Sequence, residues 1–321
     1  MPFRPRGNRP APPPPGVKVT ASLAILEQLA AENRRVLSDW RAALLLRRAT
    51  ETIPADRRRW EKPPASLAEV HAHLRQMQLR GELAPLDVQP ALRLYEVTVP
   101  YASGTSLAED EVLMEAHPYA ALGYLSAFAF HGLSDEVPKE ILAIAPAEGT
   151  GGLLPPGTHR EDWQGLALAH GSLVRRILRR PVTWYRLDPR RYFGTGEYRP
   201  RGYPVRVTTP ERTLLDGLLR PELCGGIEVV LRAWARERDT LDLDSLVLNV
   251  DQFEIGVLRQ RVGFILDELR LAHRALDRWQ AEAKRGGSSK LVASAPYAPT
   301  FSERWSLSLN APLMALREGR A

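Results

Sequence analysis

Apolar side chains return every three or four residues from Thr20, at Leu23, Leu26, Leu29 and Ala30, and this spacing predicts an amphipathic helix. A second such run follows Ser38, with Trp40, Leu44 and Leu45 on one face. After Pro63 and Pro64 stands Ser66-Leu67-Ala68-Glu69, a capping box in which serine oxygen and glutamate carboxylate satisfy the amides that a helix start leaves open. Leu67, Val70, Leu74 and Met77 then share a face, and Gly81 supplies a left-handed stop, so a helix is predicted from about Ser66 to Arg80. A Pro-flanked turn from Pro85 to Pro90 separates Leu83 from the β-forming run Leu92 to Val99, which predicts a short hairpin.

Helix, helix, long helix and hairpin is the order of a winged helix-turn-helix, which lays its third helix in the major groove of duplex DNA. With the apolar face at 67, 70, 74 and 77, the 100° step puts Glu69, His73, Gln76 and Arg80 opposite and Arg75 on the flank. Gln and Arg suit the edges of adenine and guanine. The same pattern also fits an ordinary solvent-facing helix or a protein-docking winged helix. The turn from Ala84 to Ala91 contains Asp87 and no basic residue, so a phosphate-gripping wing tip is missing.

The remainder mixes element types. A helix is predicted from about Tyr119 to Phe130, capped by Gly132, with a strand at Ile141 to Ala145 and a Gly/Pro loop from Gly149 to Gly157. Short strands follow at Thr183 to Leu187 and Val205 to Thr208, and helices begin near Pro210, Glu222 and Gly256. The expected class is α+β: an N-terminal winged helix-turn-helix followed by a larger mixed α/β domain. The expected division is a disordered basic Pro-rich tail over 1–19, the winged helix over 20–100, an acidic linker over 101–116 and the larger domain over 117–321.

Charge sharpens the picture only through its distribution. The net formal charge of +6 comes from 44 basic residues of which five are Lys, and such an Arg excess also follows from a GC-rich coding bias. The surplus falls in two stretches, +4 over residues 1–20 and +6 over 161–206, while 101–160 carries −6. Arg57, Arg58 and Arg59 form a basic knot. Arg175, Arg176, Arg179 and Arg180, close to Trp184 and Tyr185, offer a second nucleic-acid surface. A helix would stack them into one stripe, whereas a strand would split them between two faces. The 44% apolar and 26% charged composition excludes a mainly disordered chain, and a single cysteine excludes a disulfide framework. No apolar stretch approaches a membrane span and the N-terminus lacks a secretion signal, so a cytosolic protein with no membrane partner is expected.

Catalytic readings find little support. Ser126, His131 and Asp135 lie too close along one helix and its exit to surround a substrate, and no nucleophile elbow is present. The glycines at 149, 151 and 152 have no following lysine for a phosphate, and the histidines and cysteine show no zinc spacing. Asp242 with Asp244, or Glu211 with Asp216, could hold magnesium for a nuclease, yet acids at helix starts have plain structural uses. No catalytic residue, metal or cofactor is expected.

Four strings in the second half carry a resemblance. They are Tyr119 to Pro138, with Leu125-Ser126-Ala127 and His131-Gly132-Leu133-Ser134; Thr208 to Asp216, continuing through Arg220 to Gly226; Gln260 to Leu266; and Arg304 to Pro312. In this order they resemble the AbiEi-type antitoxin domain of type IV toxin-antitoxin systems. The resemblance implies an N-terminal winged helix that binds double-stranded operator DNA and represses its own operon. It also implies an antitoxin domain that counteracts a nucleotidyltransferase-like toxin without requiring a stable complex. On that reading Ser66, His73, Gln76 and Arg80 lie on the groove side of the third helix, and Arg57, Arg58, Arg59 and Arg75 hold phosphates. The strings also have structural readings: Thr209-Pro210 starts a helix, Gly225-Gly226 permits a sharp turn, and Gly263 permits tight packing.

Overall fold

The structure is a computed structural model that describes residues 18–102, 106–283 and 289–318. The chain is mixed α+β and divides into two compact units, each discontinuous in sequence. Unit one comprises residues through Ala120 together with Glu148–Val182 and Glu197–Arg206; unit two comprises Ala121–Ala147, Thr183–Gly196 and the remainder from Val207. A break at 101–116 therefore does not occur, and residues beyond 147 return to complete the first unit. Of the expected tail, residues 1–17 lie outside the described residues. Val19 belongs to the fold, donating from its amide to the Arg57 carbonyl (2.9 Å) and accepting from the Arg59 amide (3.0 Å).

Unit one begins with α1 (Ala21–Ala31), β1 (Val36–Ser38), α2 (Asp39–Thr52), α3 (Leu67–Leu79), β2 (Leu83–Pro85), β3 (Val88–Gln89), β4 (Leu94–Val97) and α4 (Glu109–Ala116). Thr20 caps α1 and Ser38 caps α2 by accepting amide hydrogen bonds. The sheet order is β1-β4-β2, antiparallel throughout, with Val36 opposite Glu96 and Leu83 opposite Val97. Val70, Leu74 and Met77 turn the apolar stripe of α3 into a core with Ile25, Leu29, Leu44 and Leu45, each worth about 2 kcal/mol in transfer terms. Gly81 stops α3 at φ +70°, as its position predicts. The capping box forms only in part: Glu69 accepts from the Ala65 amide (3.2 Å) and the Ser66 hydroxyl (3.3 Å), and the Ser66 oxygen accepts no backbone hydrogen bond.

The acidic stretch read as a linker is the largest departure. Residues 103–105 lie outside the described residues, but α4 is buried along most of its length, Glu111 and Glu115 included. Glu115 Oε1 accepts from Arg34 Nη1 (3.1 Å) and Arg41 Nε (2.9 Å), and Oε2 accepts from Ser38 Oγ (2.6 Å). Glu111 Oε1 accepts the amides of Arg35 (2.9 Å) and Val36 (3.1 Å) at the start of β1. Burial pushes the Glu111 carboxyl up to about 7 from an ordinary value of 4.5, against the lowering effect of those two amides. A folded-state pKa above the unfolded one means that stability falls as pH rises from about 4.5 to about 7 and is flat beyond. Glu111→Gln retains an acceptor and cannot ionise. Its stability should lose this pH dependence and exceed the parent's at pH 8, by at most about 3 kcal/mol on the size of the shift, and its melting temperature should rise accordingly; parallel thermal melts from pH 4 to 8 check this.

Unit two contains β5 (Ala121–Leu122), α5 (Tyr124–His131) and β6 (Ile141–Pro146). Then β7 (Arg176–Ile177) belongs to unit one, while β8 (Arg180–Leu187), β9 (Thr195–Tyr198) and β10 (Val205–Thr208) contribute residues to both. Within unit two β5 pairs antiparallel with β6 and parallel with β10. The helical part follows: α6 (Pro210–Leu219), α7 (Ile227–Arg236), α8 (Leu243–Phe253), α9 (Gly256–Leu269) and α10 (Ala275–Glu282). A three-stranded sheet of β11 (Ser289–Lys290), β12 (Phe301–Ser302) and β13 (Leu307–Ser308) precedes α11 (Ala315–Glu318). The helix predicted from Tyr119 starts at Tyr124, since Ala121 and Leu122 are strand residues, and Gly132 ends it at φ +70°. The helix predicted near Glu222 starts at Ile227, after Gly225 and Gly226 turn the chain at φ +82° and +93°. Pro210 and Gly256 begin α6 and α9 as predicted, with Thr209 capping α6.

Candidate nucleic-acid interface

Opposite its buried stripe, α3 exposes Ala68, Glu69, Ala72, Arg75, Gln76, Leu79 and Arg80, while Ser66 and His73 are half-buried. No described hydrogen bond or ion pair holds the side chains of Arg75 or Gln76, so both donor groups are open to a ligand. His73 is a weaker candidate for phosphate, because burial lowers its pKa and keeps the imidazole neutral near pH 7. Leu79, 76% exposed, went unnoticed in the sequence because its helical position lies outside the polar set; an apolar side chain there can meet a thymine methyl group.

Two of the predicted contacts are committed elsewhere. Arg80 donates to both carboxylate oxygens of Glu82 (3.0 and 2.9 Å) and to Ser22 Oγ in α1 (2.6 Å), which ties the end of α3 to α1. Arg58 donates to the carbonyls of Thr50, Ile53 (3.2 Å) and Glu61 (3.1 Å), so its charge neutralises the C-terminal end of α2. Both guanidinium groups therefore have protein partners, whereas the side chains of Arg75 and Gln76 have none described. Arg57 and Arg59 are exposed, with no described side-chain partner.

The arginines of 175–180 form neither a helical stripe nor a simple strand. Arg176 and Ile177 of β7 turn through Leu178, at φ +52°, and Arg179 into β8, with Ile177 opposite Arg180. Arg175 and Arg179 are exposed without a described partner; Arg176 pairs with Asp87 (3.0 Å) and Arg180 with Glu109 (2.6 Å). The hairpin also pairs with the loop between β2 and β4. Val88 lies opposite Ile177, the Arg175 amide donates to the Gln89 carbonyl (2.5 Å), and the Leu178 amide donates to the Asp87 carbonyl (3.0 Å). A cleft of about 570 Å³ beside these elements is lined by Leu67 of α3, Leu92, Arg93 and Leu94 on the return of the loop, Ser38 and Asp39 at the start of α2, and Ser172. Arg93 is exposed and without a described partner. It lies just beyond the turn from Ala84 to Ala91.

Several residues of the alternative catalytic groupings have partners within the fold. Ser126 Oγ accepts the Leu142 amide (2.9 Å), a ring nitrogen of His131 bonds the Thr208 carbonyl (2.7 Å), and Asp135 pairs with Arg236 (2.9 Å). Asp242 caps α8 through the Ser245 amide (3.1 Å), Asp244 contacts His273 (3.0 Å), and Asp216 is buried against Arg212 (2.9 Å). Among the described residues no group of three or more His, Cys, Asp or Glu side chains is placed to hold a metal ion. Among them, too, no helix is long and apolar enough to cross a membrane.

Among solved structures the chain is similar to the RV2827C protein from Mycobacterium tuberculosis, at a TM-score of 0.49 and 14% identity, over 93% of this chain and 94% of that one. No family model matches the sequence, and no curated protein matches it.

Proposed function

We propose that the chain is a DNA-binding autorepressor and antitoxin of the type IV kind, whose first unit is a winged helix-turn-helix and whose second counteracts a nucleotidyltransferase-like toxin. The observation that carries the DNA-binding part is α3: it follows two capped helices, precedes an antiparallel hairpin, and presents Arg75 and Gln76 without partners on its solvent side. The antitoxin part rests on the four sequence strings of the second half and is tested by the adjacent reading frame. A neighbour resembling a nucleotidyltransferase, whose toxicity the chain suppresses on co-expression, supports it, and suppression lost without loss of DNA binding would leave a plain regulator.

Base-reading side chains and phosphate-holding ones separate by experiment. Gln76→Ala should weaken binding to the DNA upstream of the chain's own coding sequence by about 1–3 kcal/mol while leaving binding to random duplex unchanged. Arg57→Ala should weaken both equally and lower the salt slope by about one. Gel-shift titrations at two salt concentrations measure this, and equal losses on both duplexes for both variants would reject α3 as the reading element.

A further inference from the structure

The loop between β2 and β4 occupies the position of a wing, yet its tip is acidic and short of cations. Strand pairing changes that. The β7–β8 hairpin adds to this loop through β3, so that three antiparallel strands stand where the sequence indicates one turn. The added strand cancels the single acid at the tip, Arg176 on Asp87 at 3.0 Å, and brings in Arg175 and Arg179, both exposed and without a described partner. Arg93 on the return of the same loop is a third open guanidinium. The ribbon is held near the reading helix, because Leu67 at the start of α3, Leu92–Leu94 of the loop and Ser172, two residues before the buried Val174 that leads into β7, line one cleft.

From this geometry we propose that the β7–β8 hairpin is a surrogate wing, a basic ribbon supplied from distant sequence that grips the DNA backbone beside the α3 site through Arg175, Arg179 and Arg93. This rests on the DNA-binding reading of unit one and specifies its second contact. The ligand chemistry is that of phosphodiester oxygens, since three exposed guanidinium groups with no described ion pair are the open charged groups of this ribbon and guanidinium pairs with phosphate in a bidentate way. The contact should therefore add affinity without sequence preference. Strand pairing fixes the backbone from which Arg175 and Arg179 project, which lowers the ordering cost of the contact.

The test compares the whole chain with the double variant Arg175→Gln/Arg179→Gln, both positions being exposed. Each is titrated against the duplex from upstream of its coding sequence and against random duplex of equal length, over a range of salt. The expected result is roughly a tenfold loss of affinity at physiological salt on both duplexes, with the slope of log K against log salt reduced by about two, at about 0.9 per phosphate contact. An unchanged slope in a variant that melts with the parent overturns the surrogate wing while leaving α3 as the reader. A loss confined to the upstream duplex overturns the phosphate assignment. Failure of the parent chain to bind either duplex removes both this inference and the reading beneath it.

Discussion

Replacing Glu115 with alanine is expected to remove a large part of the first unit's stability. The carboxylate is fully inaccessible and is the anion shared by Arg34 and Arg41, whose side chains are each about 1% exposed. Arg41 is already under strain from its surroundings: burial first, and the neighbouring Arg34 second, bring its pKa down to about 10 even with Glu115 present. Its guanidinium stacks on the Trp40 ring at 4.2 Å and donates to the Pro156 carbonyl (3.1 Å), so it cannot swing out to water without disturbing the core. Removing the shared anion leaves Arg41 a desolvated cation beside Arg34, which keeps only Glu32 (2.6 Å), a loss of about 3–5 kcal/mol for a broken buried pair, against a total stability of about 5–15 kcal/mol. Thermal melts followed by circular dichroism should show the first unit's transition lost or shifted far down. Glu115→Gln, which keeps one oxygen as an acceptor for the arginines, should be milder, and a melting temperature unchanged by alanine would refute the role assigned to this cluster.

In the second unit Arg212→Ala should have a comparable effect. Arg212 Nε pairs with Asp216 (2.9 Å), and its Nη1 donates to the carbonyls of Arg191 (3.0 Å) and Phe193 (2.7 Å). The guanidinium lies 4.6 Å from the ring centres of both Phe193 and Phe253. Burial pushes the Asp216 carboxyl up even beside this cation, and one of its oxygens has no hydrogen-bond partner. Without Arg212 the carboxyl is a buried, unpaired acid. The expected destabilisation is about 3–5 kcal/mol, and it should be smaller in acid than at pH 8, because protonation relieves an acid whose folded-state pKa is raised. Arg212→Lys should recover little, since an ammonium cannot serve three acceptors and two rings in one plane. Replacing the pair together, Arg212→Met with Asp216→Leu, should recover most of the loss. Urea titrations at pH 5 and 8 distinguish these outcomes.

Local rules made much of this molecule legible. Thr20, Ser38 and Thr209 are caps that act within three residues, and Gly81, Gly132 and the Gly225-Gly226 pair mark stops and turns that depend only on their own backbone angles. Gly263 was legible as a site of close packing: a Cβ there would meet the Trp305 ring at 2.2 Å, and that indole donates to Asp267 at 2.7 Å. What stayed hidden depends on partners far along the chain. Glu111 and Glu115 look like solvated acids until residues 34 to 41 are placed against them. The hairpin at Leu178-Arg179 lacks the Gly or Asn that advertises a two-residue turn, and the strand it extends is only two residues long. The partners of Arg58 and Arg80, carbonyls and a carboxylate of the protein itself, are likewise not visible in helical periodicity. The open groups on α3 were readable from helical periodicity alone, whereas the cations at the loop tip needed a strand contributed from ninety residues away.

The interrupted course of the first unit bears on how the protein emerges from the ribosome. Trp40 packs on Trp163 at 6.1 Å between ring centres, Arg48 clasps Asp162, and Arg206 reaches the carbonyls of Pro118 (2.9 Å) and Leu154 (2.9 Å). The amino-terminal helices are synthesised first and yet lack these partners until translation has passed residue 206. Nascent chains must carry an incomplete core through most of their elongation, so the first unit matures late, although its helices are made first and most of its companion is still to come.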